Sequence, residues 1–127
     1  MDKFKVIGPS KISGEVSISG SKNAALPILA STLLFDKPVI IENLPRVRDI
    51  DTMLSLLKSL GSKIQFSKNK KTVKIYKTKK HKYFGSYSIL KTMRAGILIL
   101  GPLVSKYHKS ICSFPGGCVL NGNSGRP

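Results

Sequence analysis

Apolar and polar positions along the chain follow two periods, and the period changes at glycine, proline and asparagine. Phe4-Lys5-Val6-Ile7, closed by Gly8-Pro9, and the alternating Glu15-Val16-Ser17-Ile18-Ser19, ended by Gly20-Ser21, are expected strands. Ala24 to Leu34 is an expected helix, capped by Ser21 or Asn23, with Pro27 tolerable because it falls near the first turn. Lys37 to Glu42 is an expected strand ended by Asn43-Leu44-Pro45. Ile50, Met53, Leu54, Leu57 and Leu60 then recur at helical spacing, with Asp49 placed to cap the helix and Gly61 to stop it. Ile64 and Phe66 alternate with polar residues, as do Val73 and Ile75. The turn residues Ser67 to Lys71 between them make this a hairpin with one apolar face. Met93, Ile97, Leu100 and Val104 mark a third helix over Ser88 to Val104, apolar all round between Ile97 and Leu100 and so expected to be buried on more than one side. Ser110 to Phe114 is the last expected strand.

The resulting order, β-β-α-β-α-β-β-α-β, argues for α/β layers. A weak repeat runs through it. Lys22-Asn23 opens a stretch with Ile28-Leu29 and Leu34, and Lys91-Thr92 opens one with Ile97-Leu98 and Leu103. That spacing exceeds solenoid periods and suggests a duplicated subdomain.

Composition narrows the function classes. The longest apolar run, Ala95 to Val104, falls far short of the ~18 residues a membrane helix needs. The charged start, with no apolar segment after it, leads us to expect a cytoplasmic protein, and two cysteines do not make a disulfide framework. Charge is the unusual feature: 22 Lys and Arg against 6 Asp and Glu, a net +16. All six acids lie within the first 51 residues, and residues 52–127 carry fifteen bases and no acid. The second part therefore attracts anions and offers no carboxylate for general-base work.

Five features bear on chemistry. Gly20-Ser21-Lys22-Asn23 joins an expected strand to an expected helix, where free N–H groups and a lysine favour a phosphate or carboxylate. The alternative is a solvated lysine beside an ordinary cap, and the P-loop spacing is absent. Pro115-Gly116-Gly117-Cys118 places a thiol in a glycine-freed loop with Lys109 and Arg126 near in sequence, a setting that favours reactivity, though an inert loop cysteine fits as well. Cys112 falls within a strand pattern and reads as a structural thiol. The C-x₅-C spacing of the two does not suit a metal pair. Arg94, beside an apolar helix, and Arg126, in the polar tail, either meet an anion or extend to water. Finally Lys68, Lys70, Lys71, Lys74, Lys77, Lys79, Lys80 and Lys82, with Tyr76 and Tyr83 among them, form either a nucleic-acid-binding surface or a solvated lysine face.

Met1-Asp2-Lys3-Phe4, Gly20 to Pro27, Lys91-Thr92-Met93-Arg94-Ala95, Gly101-Pro102-Leu103-Val104 and Pro115-Gly116-Gly117-Cys118 stand together in one order. With them the chain resembles the start of the UDP-N-acetylglucosamine 1-carboxyvinyltransferases, a family of enolpyruvyl transferases. The resemblance implies an N-terminal part of a two-domain fold built from repeated β-α-β-α-β-β units, an inside-out α/β barrel. It implies that residues 1–21 are strands packing with the second domain and that 22–127 form an incomplete repeat domain. It also implies transfer of the enolpyruvyl group of phosphoenolpyruvate to the 3-hydroxyl of UDP-N-acetylglucosamine, with release of phosphate and with no metal or organic cofactor.

By the same resemblance, Lys22 and Asn23 match the phosphoenolpyruvate-binding pair. Arg94, Arg126 and Pro127 match positions that contact the nucleotide sugar and the anionic groups. Cys118 matches the catalytic thiol, a proton donor that fosfomycin alkylates. Gly96 stands where the family usually has serine, the link from Cys118 to Arg126 is longer than in the family, and the family's carboxylate base falls beyond Pro127. The 127 residues alone are therefore expected to be inactive without a C-terminal portion. Two rival readings remain at this point: a decayed remnant, and the nucleic-acid module built on the 68–82 lysines.

Overall fold

The computed structural model describes residues 1–112. Its first helix, α1 (Lys22–Ser31), continues into a 3₁₀ turn at Thr32–Leu34, and strand β1 is Val39–Ile41. Helix α2 (Arg48–Ser59) leads into the hairpin of β2 (Ser62–Phe66) and β3 (Val73–Lys77). A short strand β4 (Phe84–Gly85) precedes one turn of helix, α3 (Tyr87–Leu90). A 3₁₀ segment over Arg94–Ile99 runs directly into α4 (Leu100–Tyr107), and β5 is Ile111–Cys112.

The hairpin forms where the alternation placed it, with Ile64 opposite Ile75 and Phe66 opposite Val73. β1 adds antiparallel to the other edge of β3, so the three strands lie in the order β1-β3-β2. As the central strand, β3 buries Val73 and Ile75 and turns Lys74 outward. A separate parallel pair joins β4 to β5 through Phe84–Ile111 and Gly85–Cys112.

α2 is amphipathic, and its Ile50, Met53, Leu54, Leu56 and Leu57 side chains enter the core. Asp49 and Asp51 in its first turn and Lys58 in its last complement the helix dipole. It ends as expected: Leu60 is the C-cap and Gly61 takes φ +103°. α1 adds Ala25, Leu26, Leu29 and Ala30, and the later segments add Leu90, Met93, Ile99 and Leu103 to one continuous core. Cys112 is partly buried against that core, with Sγ 3.6 Å from Ser110 Oγ.

A polar cluster joins the hairpin to α4. Lys106 Nζ bonds the Asp36 carboxylate at 2.7 Å and the Leu34 carbonyl at 2.8 Å, and Lys77 reaches the same carboxylate at 3.5 Å. Lys77 also lies 4.7 Å from the centre of the Tyr107 ring, which stacks on His81. Lys106 and then Lys77 hold the Asp36 carboxyl below the usual carboxylate range.

The sequence expectations need four corrections. Residues 4–7 and 15–19 form no strand: residues 1–19 are exposed throughout, and Asn43 Nδ2 to the Ile18 carbonyl, at 3.4 Å, is the one side-chain bond to them among the described residues. Their alternation suits a strand, but a ladder needs a partner backbone, and no described strand lies beside them. α1 starts two residues earlier than expected, with Ser21 as its cap. Val47 rather than Asp49 caps α2. The third helix is broken: Met93 is extended (φ −145°, ψ 113°), so α3 stops short and a 3₁₀ segment takes over. Ile97, Leu98, Leu100 and Val104 consequently stay exposed, while Ile99 and Leu103 go inward. The second stretch of the proposed repeat therefore does not copy the continuous helix of the first.

Candidate functional site

The best-supported site opens where α1 begins. Gly20 brings the chain against the Asn43 carbonyl, so closely that an added Cβ would overlap its oxygen. Ser21 is extended (φ −82°, ψ 131°). Its Oγ accepts the Ala24 N–H at 3.4 Å, and its carbonyl accepts the Ala25 N–H at 2.9 Å. Lys22 and Asn23 are thus the first two residues of α1, exposed at its positive end, while Ala25 and Leu26 behind them are buried.

The opposite wall is Lys91 to Ala95. Buried Leu90 and Met93 pin this segment to the core, and Thr92 Oγ1 donates to the Ile89 carbonyl at 2.7 Å. The extended Met93 turns the chain so that Arg94, exposed, opens the 3₁₀ segment. Between the walls lies an open cleft of about 420 Å³, lined also by Leu26 and Asp49. The structure therefore brings Lys22, Asn23 and Arg94 around one space, although Arg94 lies 71 positions after Asn23.

The cleft carries three cations, Lys22, Lys91 and Arg94, against one acid, Asp49. Such a surface suits a multiply charged anion, and Arg adds planar bidentate geometry for phosphate or carboxylate. Asp49 does not cap α2; its Oδ2 instead accepts the Lys22 ammonium at 2.9 Å. Both side chains remain about half exposed, so the pair adds little to stability, about 0–1 kcal/mol.

Asp49, Lys91 and Thr92 are cleft residues that sequence reasoning did not assign to a site. Asp49 read as a cap because it precedes a periodic apolar run, and nothing in its spacing pointed 27 residues back to Lys22. The expected site residues Cys118, Arg126 and Pro127 lie outside the described residues. Among the described residues, no group of three or more His, Cys, Asp or Glu is placed to hold a metal ion. No described helix is long and apolar enough to cross a membrane.

Seven of the eight lysines in the 68–82 run are exposed. Lys74 faces outward, but Lys77 is drawn into the Asp36 and Tyr107 cluster, and Tyr83 packs edge-on against His81 and Tyr107. Tyr83 remains exposed while its ring edge meets these two neighbours.

Known proteins share this sequence and this fold. The family model described as EPSP synthase (3-phosphoshikimate 1-carboxyvinyltransferase) matches residues 6–127. Over 120 residues the chain is 57% identical to the UDP-N-acetylglucosamine 1-carboxyvinyltransferase of Pelagibacter ubique and 48% identical to that of Cronobacter sakazakii, in each case over 94% of this chain and 28% of the relative. The chain thus spans little more than a quarter of the length of these relatives. The structure is also similar to the crystal structure of the enolpyruvyl transferase NikO from Streptomyces tendae. The TM-score is 0.65 at 20% identity, over 79% of this chain and 23% of that one, a likeness of fold. By sequence and by fold, the chain belongs to the EPSP synthase family of enolpyruvyl transferases.

Proposed function

We propose that the polypeptide carrying these residues transfers the enolpyruvyl group of phosphoenolpyruvate to the 3-hydroxyl of UDP-N-acetylglucosamine and releases phosphate, the entry step of peptidoglycan synthesis in the cytoplasm. The observation behind this reading is the convergence of Lys22, Asn23 and Arg94 on one cation-rich cleft. The names of the 57% and 48% identical relatives support the choice of acceptor.

In this reading Lys22 and Asn23, at the positive end of α1, bind the phosphate of phosphoenolpyruvate. Arg94, from the facing wall, balances the remaining anionic charge, with Arg126 and Pro127 completing the nucleotide-sugar side. Cys118 is the catalytic thiol and protonates the enolpyruvyl methylene carbon. The hydroxyl adds to the neighbouring carbon, and loss of phosphate and of a proton restores the double bond. No metal or organic cofactor takes part.

Acid–base work on the acceptor hydroxyl needs a carboxylate, and residues 52–127 supply none. It lies either among the acids of the first 51 residues or on a further portion; the resemblance to the family implies the latter, a C-terminal portion. Residues 1–21, which hold no strand in the structure, then form strands against the second domain, and 22–127 are the first part of the repeat domain.

Phosphate release from phosphoenolpyruvate, dependent on UDP-N-acetylglucosamine, tests the proposal. The native polypeptide turns over and is inactivated by fosfomycin with a mass increase on Cys118. The 127-residue chain alone does not turn over. Native polypeptide without acceptor-dependent phosphate release would refute the reaction, and turnover by the 127 residues alone would refute the need for a further carboxylate.

A further inference from the structure

We infer that Asp49 is a positioning residue for Lys22: its carboxylate holds the lysine ammonium over the cleft, aimed at the incoming anion. This rests on reading the cleft as the phosphoenolpyruvate site. Two observations bear on it. The carboxylate is not used for helix capping, since Val47 occupies the cap without a side-chain bond, and it pairs instead with Lys22 Nζ at 2.9 Å. Asp49 is also rigidly based. It sits in the first turn of α2, where the Ile50 and Asp51 N–H groups both donate to the Val47 carbonyl, and the adjacent Ile50 side chain is buried.

Lysine carries its charge on a flexible four-carbon stem, so a free Lys22 would sample many positions over an exposed cleft. An ammonium has three N–H donors. One spent on Asp49 leaves two for phosphate oxygens, with the nitrogen already placed. The link also joins the starts of two separate helices, α1 and α2, across 27 residues.

A negative charge beside an anion site opposes binding by simple Coulomb repulsion. If Asp49 acted only through charge, removing it would strengthen anion binding. If it acts by positioning, removing it weakens binding and slows turnover. The direction of the effect therefore decides.

The experiment is steady-state kinetics of the native polypeptide with phosphoenolpyruvate varied. Asp49→Asn is expected to lower kcat/KM roughly 10- to 100-fold, the scale set by misplacing a catalytic group by about an ångström. Asp49→Glu restores part of the loss. Lys22→Ala with Asp49→Asn is no slower than Lys22→Ala alone, because Asp49 acts through Lys22. The melting temperature of Asp49→Asn stays near wild type, since the pair is exposed.

Unchanged kcat/KM in Asp49→Asn, a lowered KM with stronger inhibition by inorganic phosphate, or losses that add in the double variant would each overturn the inference. A wild-type polypeptide without turnover would instead overturn the proposed reaction. Calorimetry with inorganic phosphate then still decides the positioning role: weaker binding by Asp49→Asn supports it, and equal or tighter binding refutes it.

Discussion

Replacing Gly20 with alanine tests how the chain delivers Lys22 to the cleft. The new methyl would overlap the Asn43 carbonyl oxygen and crowd Pro45 Cδ at 3.2 Å and the Asn43 carbonyl carbon at 3.3 Å. None of these atoms ends a flexible side chain. Residues 43–45 are themselves held, because the Leu44 side chain is buried and its N–H donates to the Lys71 carbonyl at 2.8 Å. The yielding part is therefore residues 20–21, which must move by about 1 Å to reach ordinary contact. Overpacking of this kind costs about 1–3 kcal/mol. Losing the already long Ser21 cap bond accounts for up to about 1 kcal/mol of that. The functional effect is larger. Lys22 moves with its backbone, and under the proposed function, in which Lys22 binds the substrate phosphate, a displacement near 1 Å is worth ~100-fold in rate. The assay is a thermal melt beside the kinetics of phosphate release, with Gly101→Ala as the control. Gly101 lies inside α4, nothing would come within 4 Å of its added Cβ, and alanine there is neutral or mildly stabilising. If Gly20→Ala matches wild type in melting temperature and kcat/KM, the tight passage past Asn43 is not what positions Lys22.

Three further outcomes check the fold. Leu57→Ala empties part of the α2 core face, where Leu57 is fully buried, and is expected to cost about 2–5 kcal/mol in urea denaturation; a loss under about 1 kcal/mol would speak against that packing. Gly61→Ala forces a positive φ on alanine and drives its methyl into the Lys80 carbonyl, so it should destabilise by more than about 1 kcal/mol in the same assay. For Asp36→Asn the sign follows from a folded-state carboxyl held below its ordinary 3.8. Its stabilisation is present above that value and is lost as pH falls through the lower folded-state value. The melting-temperature gap between wild type and Asp36→Asn should therefore close as pH drops below about 4. A gap that widens on acidification would contradict the ion pairs with Lys106 and Lys77.

Local elements that carry their own instructions are legible in the amino-acid sequence alone. The hairpin is one: alternation at Ile64, Phe66, Val73 and Ile75 fixes which face turns inward, and Ser67 to Lys71 provide the turn. Helix α2 is another, because its apolar stripe, acidic first turn and terminal glycine all agree. The third helix departs from its pattern for the opposite reason. Its periodicity is sound from Met93 to Val104, yet an extended Met93 and a 3₁₀ segment to Ile99 replace the regular helix before α4, and the burial of Leu90, Met93 and Ile99 accompanies that choice. Propensity is a weak local term, and core packing overrides it. Cap identity is similarly ambiguous: Asp49 suits an N-cap by type, but its carboxylate is bonded to a lysine on another helix.

What the sequence determined by itself is the set of groups available: a lysine–asparagine pair at a helix start, an arginine in Lys91–Ala95, a thiol between glycine-rich segments, and a second part without any acid. The order of these motifs was enough to mark the family, because motif order along a chain is a one-dimensional property. Which groups share a space is not. The meeting of Lys22 with Arg94 across the cleft, and of Lys22 with Asp49, depends on how α1, α2 and the Arg94 segment pack on one core. That packing is the sum of many buried apolar contacts far apart in sequence, and no local pattern encodes its outcome. The same holds for residues 4–7 and 15–19, whose alternation specifies a strand face while the backbone they would pair with belongs to tertiary structure.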